Sequence, residues 1–310
     1  MVQEGQSERI VITGLGVLCA LGNSPEQVFG RMLAGLTGIK PLTRFNTENM
    51  QCSIAGELEA DDLEKVVKDE ATRPLDPCAR YAIYAARQAL ENSGLRVKPL
   101  CFAGQEDGDK RGALHAVRAD RVGLVLGTCN GGILSLEKQW NLDQLDIEHT
   151  AHYPFYQQGD DTAKALGING PVVTINTACA ASGNAIGLAY DLLRWGYADV
   201  MLAGGSDPLS HSVFAGFNVL RALNPQPASP FGSRYGLNLG EGAAFVVLER
   251  LEHALARGAH IYGELCAYGL SNDAYHETAP HPEGKGLAKA VEMALKQGGV
   301  KPEQIGYINM

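Results

Sequence analysis

Val172-Val173-Thr174-Ile175 is an apolar, β-branched run that stops abruptly at Asn176-Thr177-Ala178-Cys179-Ala180-Ala181-Ser182-Gly183-Asn184. Apolar residues then recur at helical spacing, through Ala181, Ile186, Leu188, Ala189, Leu192, Leu193 and Trp195. A buried strand that passes through a few small residues into a helix is the join of an α/β layer. Cys179 stands at that sharp turn, and its small neighbours leave room for a bulky substrate. A helix N-terminus presents unpaired N–H groups and a positive partial charge, which favour a thiolate. The same N–H groups can stabilise an oxyanion on a thioester carbonyl. Cys179 is therefore a candidate nucleophile, although the commoner fate of a free cysteine is a buried structural one.

The rest of the chain repeats the alternation of strand and helix. Arg9-Ile10-Val11-Ile12-Thr13-Gly14 predicts a strand ending in a glycine turn, followed by a helix starting at Ser24-Pro25-Glu26 with Ser24 as its cap. Asn46 to Lys68 reads as irregular and polar. Cys78 to Asn92 predicts a helix whose apolar side is Ala82, Ile83, Ala85, Ala86, Ala89 and Leu90, stopped by Gly94. The charged stretch from Leu100 to Asp120 reads as a surface loop. Further strands are expected at 121–126, 198–203 and 243–248, with a glycine-rich loop at Gly127 to Gly132. Strands separated by helices indicate a largely parallel sheet with helices on its faces.

A weak internal repeat begins near residue 258. Ile261 to Cys266 resembles the first strand, Leu287 to Gln297 a helix, and Gln304 to Met310 the second strand again. The expected division is therefore 1–257 and 258–310. A half-built second sheet would expose unpaired strand edges, so the 310 residues are expected to be an incomplete chain or to need a partner.

Composition removes several function classes. The net charge of -9 comes without a Lys/Arg-rich run, which argues against nucleic-acid and anionic-membrane partners. No apolar stretch is long enough to span a membrane, and Met1 to Gly5 lacks a signal-peptide core. Seven dispersed cysteines with no C-x-x-C pair point to reduced thiols in a cytoplasm rather than to disulfides or zinc.

Gly14-Leu15-Gly16 lacks the third glycine and the following acid of a dinucleotide site, so a tight turn is expected. Gly284-Lys285-Gly286 lacks the frame of a P-loop. His149 and His152, or His276 and His281, have no partner at metal-ligand spacing, and surface or hydrogen-bonded roles are expected. Asn272 to Pro280 is dense in hydrogen-bonding groups and lines either a site or a solvated loop. Glu241, between Gly240 and Gly242, is expected to be a buried ion-pair or hydrogen-bond partner. Ser206 lacks the frame of a serine nucleophile and reads as part of a glycine-rich strand end.

Taken together, Thr177-Ala178-Cys179-Ala180-Ala181-Ser182-Gly183 resembles the nucleophile motif of the β-ketoacyl-acyl-carrier-protein synthases of the thiolase superfamily. Supporting segments follow in the family's order: Val11 to Gly16, Leu33 to Ile39, Ala198 to Gly205, Arg221 to Leu223, Gly240 to Ala243, His253 to Ala259, and Asp273 to Pro280. The resemblance covers essentially the whole chain. It implies a layered α/β/α/β/α fold, with the N-terminal half complete and the C-terminal half incomplete. It also implies a 3-oxoacyl-[acyl-carrier-protein] synthase of fatty-acid or polyketide synthesis. There, Cys179 takes an acyl group and condenses it with a decarboxylating malonyl thioester. Cys179 would also supply a backbone N–H to the oxyanion hole. Asn130 and Phe217 would line the acyl pocket, with His276 and Thr278 near its mouth. No cofactor or metal is implied. The expected partners are an acyl carrier protein and a second synthase subunit, identical or different.

The sequence departs from the family pattern in places. None of the eight histidines occupies the family's two catalytic histidine motifs, so the residues given are expected not to decarboxylate malonyl thioesters. A thiolase-fold acyltransferase, or a non-catalytic partner of a synthase, are the alternatives; the intact Cys179 argues against the second. Arg234-Tyr235-Gly236-Leu237 stands where the family has Arg-Asp-Gly-Phe, and Asn130 where elongation enzymes often carry an apolar gate.

Overall fold

The computed structural model describes residues 8–98, 115–140, 146–232, 235–277 and 279–309. Among the described residues, six strands form one sheet: β1 (Ile10–Cys19), β2 (Val122–Gly127), β3 (Val172–Ile175), β4 (Val200–Asp207), β5 (Gly242–Arg250) and β6 (Gly263–Leu265). Their order is β6-β1-β5-β4-β2-β3. The helices that matter to the site are α1 (Pro25–Leu33), α2 (Pro77–Asn92), α3 (Phe155–Leu166), α4 (Ala181–Arg194), α5 (His211–Val219) and α6 (Lys285–Gly298).

Alternation along each strand sends successive side chains to opposite faces. Leu124 and Leu126 join Ala82, Ala85 and Ala89 of α2 in one core cluster. Val125, between them, joins Ala185, Ala189 and Leu193 of α4 in the other. Leu202 and Val247 face α2, while Met201, Ala203 and Leu248 face α4. Both faces are covered, which is why these strands read as continuous apolar runs. Capping fixes where α1 and α2 begin: Ser24 accepts a bond from the Gln27 amide, and Asp76 accepts one from the Cys78 amide at 2.8 Å.

The sheet is mixed rather than largely parallel. The β4–β2 and β2–β3 pairs are parallel, whereas β5 runs against both β1 and β4. The cause is the connection. Crossovers through α3 and α4 carry the chain back along the sheet between β2, β3 and β4. The chain between β4 and β5 instead stays at the strand ends. There α5 packs Phe214 with Cys52, Ala55, Leu209 and Leu223. So β5 begins opposite the point where β4 stopped, with Gly242 paired to Asp207.

Gly14-Leu15-Gly16 is not a turn. It lies within β1, past a register shift between Ile12 and Gly14. A Cβ on Gly14 would lie 2.7 Å from the Ser93 Cβ, and one on Gly16 would lie 2.7 Å from the Ala89 amide nitrogen. The glycines let the alanine face of α2 rest directly on the strand backbone.

Three further expectations need correction. Asn46 to Lys68 contains a short strand, Ile54–Ala55, paired antiparallel with Lys40–Pro41 just upstream, and a helix, Ala60–Val67. Leu63 and Val66 of that helix pack on the α2 core, which an average polarity conceals. Gln304 to Asn309 forms no strand: Pro302–Gln304 is a 3-10 turn, and residues 305–309 enter no ladder among the described residues. A β-branched pattern makes a strand only where a neighbour accepts its hydrogen bonds. Finally, β6 does not begin a second sheet but pairs antiparallel with β1, with Ile10 opposite Leu265. Residues 100–114 of the expected surface loop lie outside the described residues, and His115–Arg118 pairs parallel with Leu95–Lys98. Among the described residues, no helix is long and apolar enough to cross a membrane.

Candidate active site

Cys179 is exposed and stands two residues before the first turn of α4. The turn that carries it is held by short local bonds. The Ala180 amide donates to the Thr177 carbonyl at 3.2 Å, and the Ala181 amide to the Ala178 carbonyl at 3.0 Å. Ala178 has φ 51°, a left-handed conformation that costs an alanine about 1–3 kcal/mol. The side chain of Asn176 offsets this by accepting from the Ala178 amide at 3.2 Å. Asn184, one turn into α4, donates to the Thr177 hydroxyl at 2.7 Å.

Glycines seat this turn on the sheet. Gly127 ends β2, and a Cβ there would lie 2.5 Å from both the Ala181 carbonyl oxygen and the Ser182 amide nitrogen. Gly205 in β4 is pressed in the same way, with Ser182 Oγ against it and the Gly127 carbonyl oxygen 2.8 Å from any Cβ. The first turn of α4 therefore lies against the ends of two parallel strands. This fixes where the thiol and the helix N-terminus point.

The loop after β2 forms one wall. Asn176 Nδ2 donates to the Cys129 carbonyl at 3.3 Å, which ties that loop to the Cys179 turn. Asp207, the last residue of β4, accepts from the Thr128 hydroxyl at 3.0 Å, the Cys129 amide at 3.0 Å and the Asn130 amide at 2.8 Å. Burial pushes the Asp207 carboxyl above the usual aspartate range, and these donors pull it part of the way back. Burial likewise pushes the Cys129 thiol up, with the charges of Asp207 and Cys179 adding to it.

The residues named from sequence fall into two groups. Asn130 lies in the loop tied to the Cys179 turn. Phe217 packs in the satellite cluster of α5, with Phe45, Met50 and Leu239 among its companions. His276 is exposed and accepts from the Ala279 amide at 3.1 Å through Nδ1. Thr278 and Arg234 lie outside the described residues. Among the described histidines, His152 pairs with Asp161 at 2.7 Å, in keeping with a hydrogen-bonded role. Ser206 is buried and donates to the Cys78 carbonyl at 2.7 Å, so it is no nucleophile. Glu241 is a buried ion-pair partner: it pairs with Arg44 and accepts from the Tyr81 hydroxyl at 3.0 Å and the Leu58 amide at 3.0 Å. Sequence reasoning missed Asp207, Asn176 and the strain at Ala178. An acid closing the Gly204-Gly205-Ser206 strand end was the one available signal.

With this geometry in place, the comparisons decide the family. The chain matches the beta-ketoacyl synthase N-terminal domain over residues 7–254 and the beta-ketoacyl synthase C-terminal domain over 262–310. This chain belongs to the β-ketoacyl synthase family. Among its relatives is the 3-oxoacyl-[acyl-carrier-protein] synthase 2 of Synechocystis sp., 36% identical over 98% of this chain and 72% of the relative. The enzyme of the same name from Coxiella burnetii is also 36% identical, over 98% and 73%. Solved structures agree. The ishigamide ketosynthase/chain length factor superposes with a TM-score of 0.83 at 30% identity, covering 97% of this chain and 72% of that one. A β-ketoacyl synthase from Burkholderia phymatum gives 0.80 at 27%, covering 98% and 74%. The sheet order and the seated α4 are thus the framework of a β-ketoacyl synthase, with the thiolase-like fold of those neighbours.

Proposed function

We propose that Cys179 is the acyl acceptor of a 3-oxoacyl-[acyl-carrier-protein] synthase. The observation that carries this is an exposed thiol on a strained turn, aimed by the first turn of α4 resting on Gly127 and Gly205. The thiolate attacks the carbonyl carbon of an acyl thioester held on a carrier protein. The C–S bond to the carrier breaks, the carrier thiolate leaves and takes up a proton, and the acyl group stays on Cys179. The Cys179 backbone N–H is assigned to the oxyanion of the tetrahedral intermediate. Asn130, Phe217, His276 and Thr278 are assigned to the acyl pocket and its mouth. Of these, Asn130 has the strongest support, through its loop's bond to Asn176.

Carrier protein is the proposed partner, in the cytoplasm. A ketosynthase neighbour is described in complex with its acyl-carrier protein, and others as ketosynthase with chain length factor, so a paired subunit is proposed as well. Residues 1–257 carry the nucleophile-bearing half, and 258–310 belong to the second half. In the family the acyl-enzyme is then attacked by the carbanion of a decarboxylated malonyl thioester. Of these two steps, the first is the one assigned to Cys179. A thiolase-fold acyltransferase would keep only the first step.

Intact-protein mass spectrometry after incubation with an acyl-carrier-protein thioester tests this. One acyl mass should be gained, located on Cys179 and absent from Cys179→Ala. Acylation of Cys179→Ala at the wild-type rate would overturn the assignment.

A further inference from the structure

We infer that Asp207 is a positioning residue that sets the gap between Asn130 and Cys179, and so selects which acyl chain lengths reach the thiol. The inference rests on the proposed roles of Cys179 and Asn130.

Where the loop leaves its parallel strand, the Thr128 amide still donates to the Ile175 carbonyl at 3.0 Å, but the Cys129, Asn130 and Gly131 amides go beyond the ladder and are satisfied by side chains. Asp207 gathers them. Oδ1 accepts from the Thr128 hydroxyl at 3.0 Å, the Cys129 amide at 3.0 Å and the Asn130 amide at 2.8 Å, and Oδ2 lies 3.1 Å from the Cys129 amide. The Thr128 hydroxyl in turn accepts from the Gly131 amide at 2.9 Å. One carboxylate thereby fixes four consecutive residues, directly or through one relay.

A second carboxylate pins the far end of the same segment. Asp76, fully buried, accepts from the Ser135 amide at 2.7 Å while also capping α2 through the Cys78 amide. The segment from Thr128 to Ser135 is thus held between two acids on different elements. It is also coupled to the nucleophile, because the Cys129 carbonyl accepts from Asn176, and Asn176 accepts from the Ala178 amide. The path from Asp207 to Cys129, Asn176 and Ala178 is hydrogen-bonded at every step.

A carboxylate in a mostly buried place is costly unless donors converge on it. Here they converge, and charge-assisted bonds to N–H donors are about twice as strong as neutral ones. An asparagine of the same size keeps one acceptor but turns an NH2 group toward the amide of Cys129. The loop must then shift, and Asn130 moves relative to the thiol.

The test compares acetyl and octanoyl pantetheine thioesters as acyl donors to wild type, Asp207→Asn and Asp207→Glu, read by intact mass. Cys179 alkylation by iodoacetamide is followed in parallel. In Asp207→Asn the octanoyl-to-acetyl rate ratio should change by about tenfold or more, the scale set by a misfit of one or two methylenes. Alkylation should change far less than that ratio. Asp207→Glu, which keeps the charge, should recover part of the shift. Asn176→Ala, which cuts the path without touching Asp207, should move the ratio in the same way and serves if Asp207→Asn does not fold. A ratio unchanged in whichever of these variants folds overturns the inference. So does a uniform loss of acetylation, octanoylation and alkylation, which marks a purely structural role. A wild-type protein that iodoacetamide labels at Cys179 but no thioester acylates refutes the proposed function itself, and the inference with it.

Discussion

Gly127→Ala isolates the seating of α4. The new Cβ would lie 2.5 Å from the Ala181 carbonyl oxygen and from the Ser182 amide nitrogen. Ordinary contact between heavy atoms is about 3.5–4.0 Å, so the two segments must part by about 1 Å. Both opposing atoms belong to backbone in the first turn of α4, so no rotamer change relieves the clash. Overpacking of this kind costs about 1–3 kcal/mol. Cys179 lies two residues upstream of Ala181, and its thiol moves with the turn. A misplacement of about 1 Å in a reacting group costs about 10²-fold in rate. The expected result is a melting temperature lower by several degrees and acylation of Cys179 slowed by about two orders of magnitude, read by time-resolved intact mass. Gly183→Ala, in the same helix, meets nothing within 4 Å and should melt no lower than wild type. If Gly127→Ala melts with wild type and acylates within about twofold of it, α4 is not seated on β2 and the argument from Gly127 is wrong.

Other outcomes follow from the buried charges and the glycines. Glu249 is buried, which alone would raise its carboxyl, but His253, Arg257 and Thr13 bring it down to about 2. A carboxyl held below its unfolded value stabilises the fold above the unfolded value, and that stability is lost as the pH falls. Urea unfolding should therefore weaken by about 3 kcal/mol between about pH 4.5 and pH 2, and Glu249→Gln should flatten that dependence. Breaking the buried Arg44–Glu241 pair by Arg44→Met should cost about 3–5 kcal/mol, because Glu241 would keep only the Tyr81, Leu58 and Leu209 donors. Gly16→Val should lower stability by more than about 3 kcal/mol, or abolish folding, by prising α2 from β1; a denaturation midpoint equal to wild type would refute the close approach.

Several parts of the fold were legible because a local rule had no rival. Ser24-Pro25-Glu26 opened a helix as a capping residue followed by proline should. The alanine face of 82–90 could only be a helix side pressed on something flat, and it is buried against the sheet. Gly14-Leu15-Gly16 was misread because glycine has two uses, a turn and a close approach, that residue type does not separate. The choice depends on α2, which lies some 70 residues away in sequence, as in the Val17 amide to Gln88 bond. The directions of β5 and β6 were hidden for a similar reason. A strand's sequence carries its faces but not its neighbours.

The site divides along the same line. The sequence alone determined that Cys179 stands between a strand and a helix among small residues, and that Glu241 needs a buried partner. Both are matters of residue type over a short span. Tertiary structure alone decided that Arg44, 197 residues away, is that partner. It also decided that Ala178 is left-handed, and that Asp207 and Asn176 bind the loop of Asn130 to the nucleophile turn. Those facts come from bringing the ends of β2 and β4 side by side under the first turn of α4, a juxtaposition produced by packing and written in no single segment.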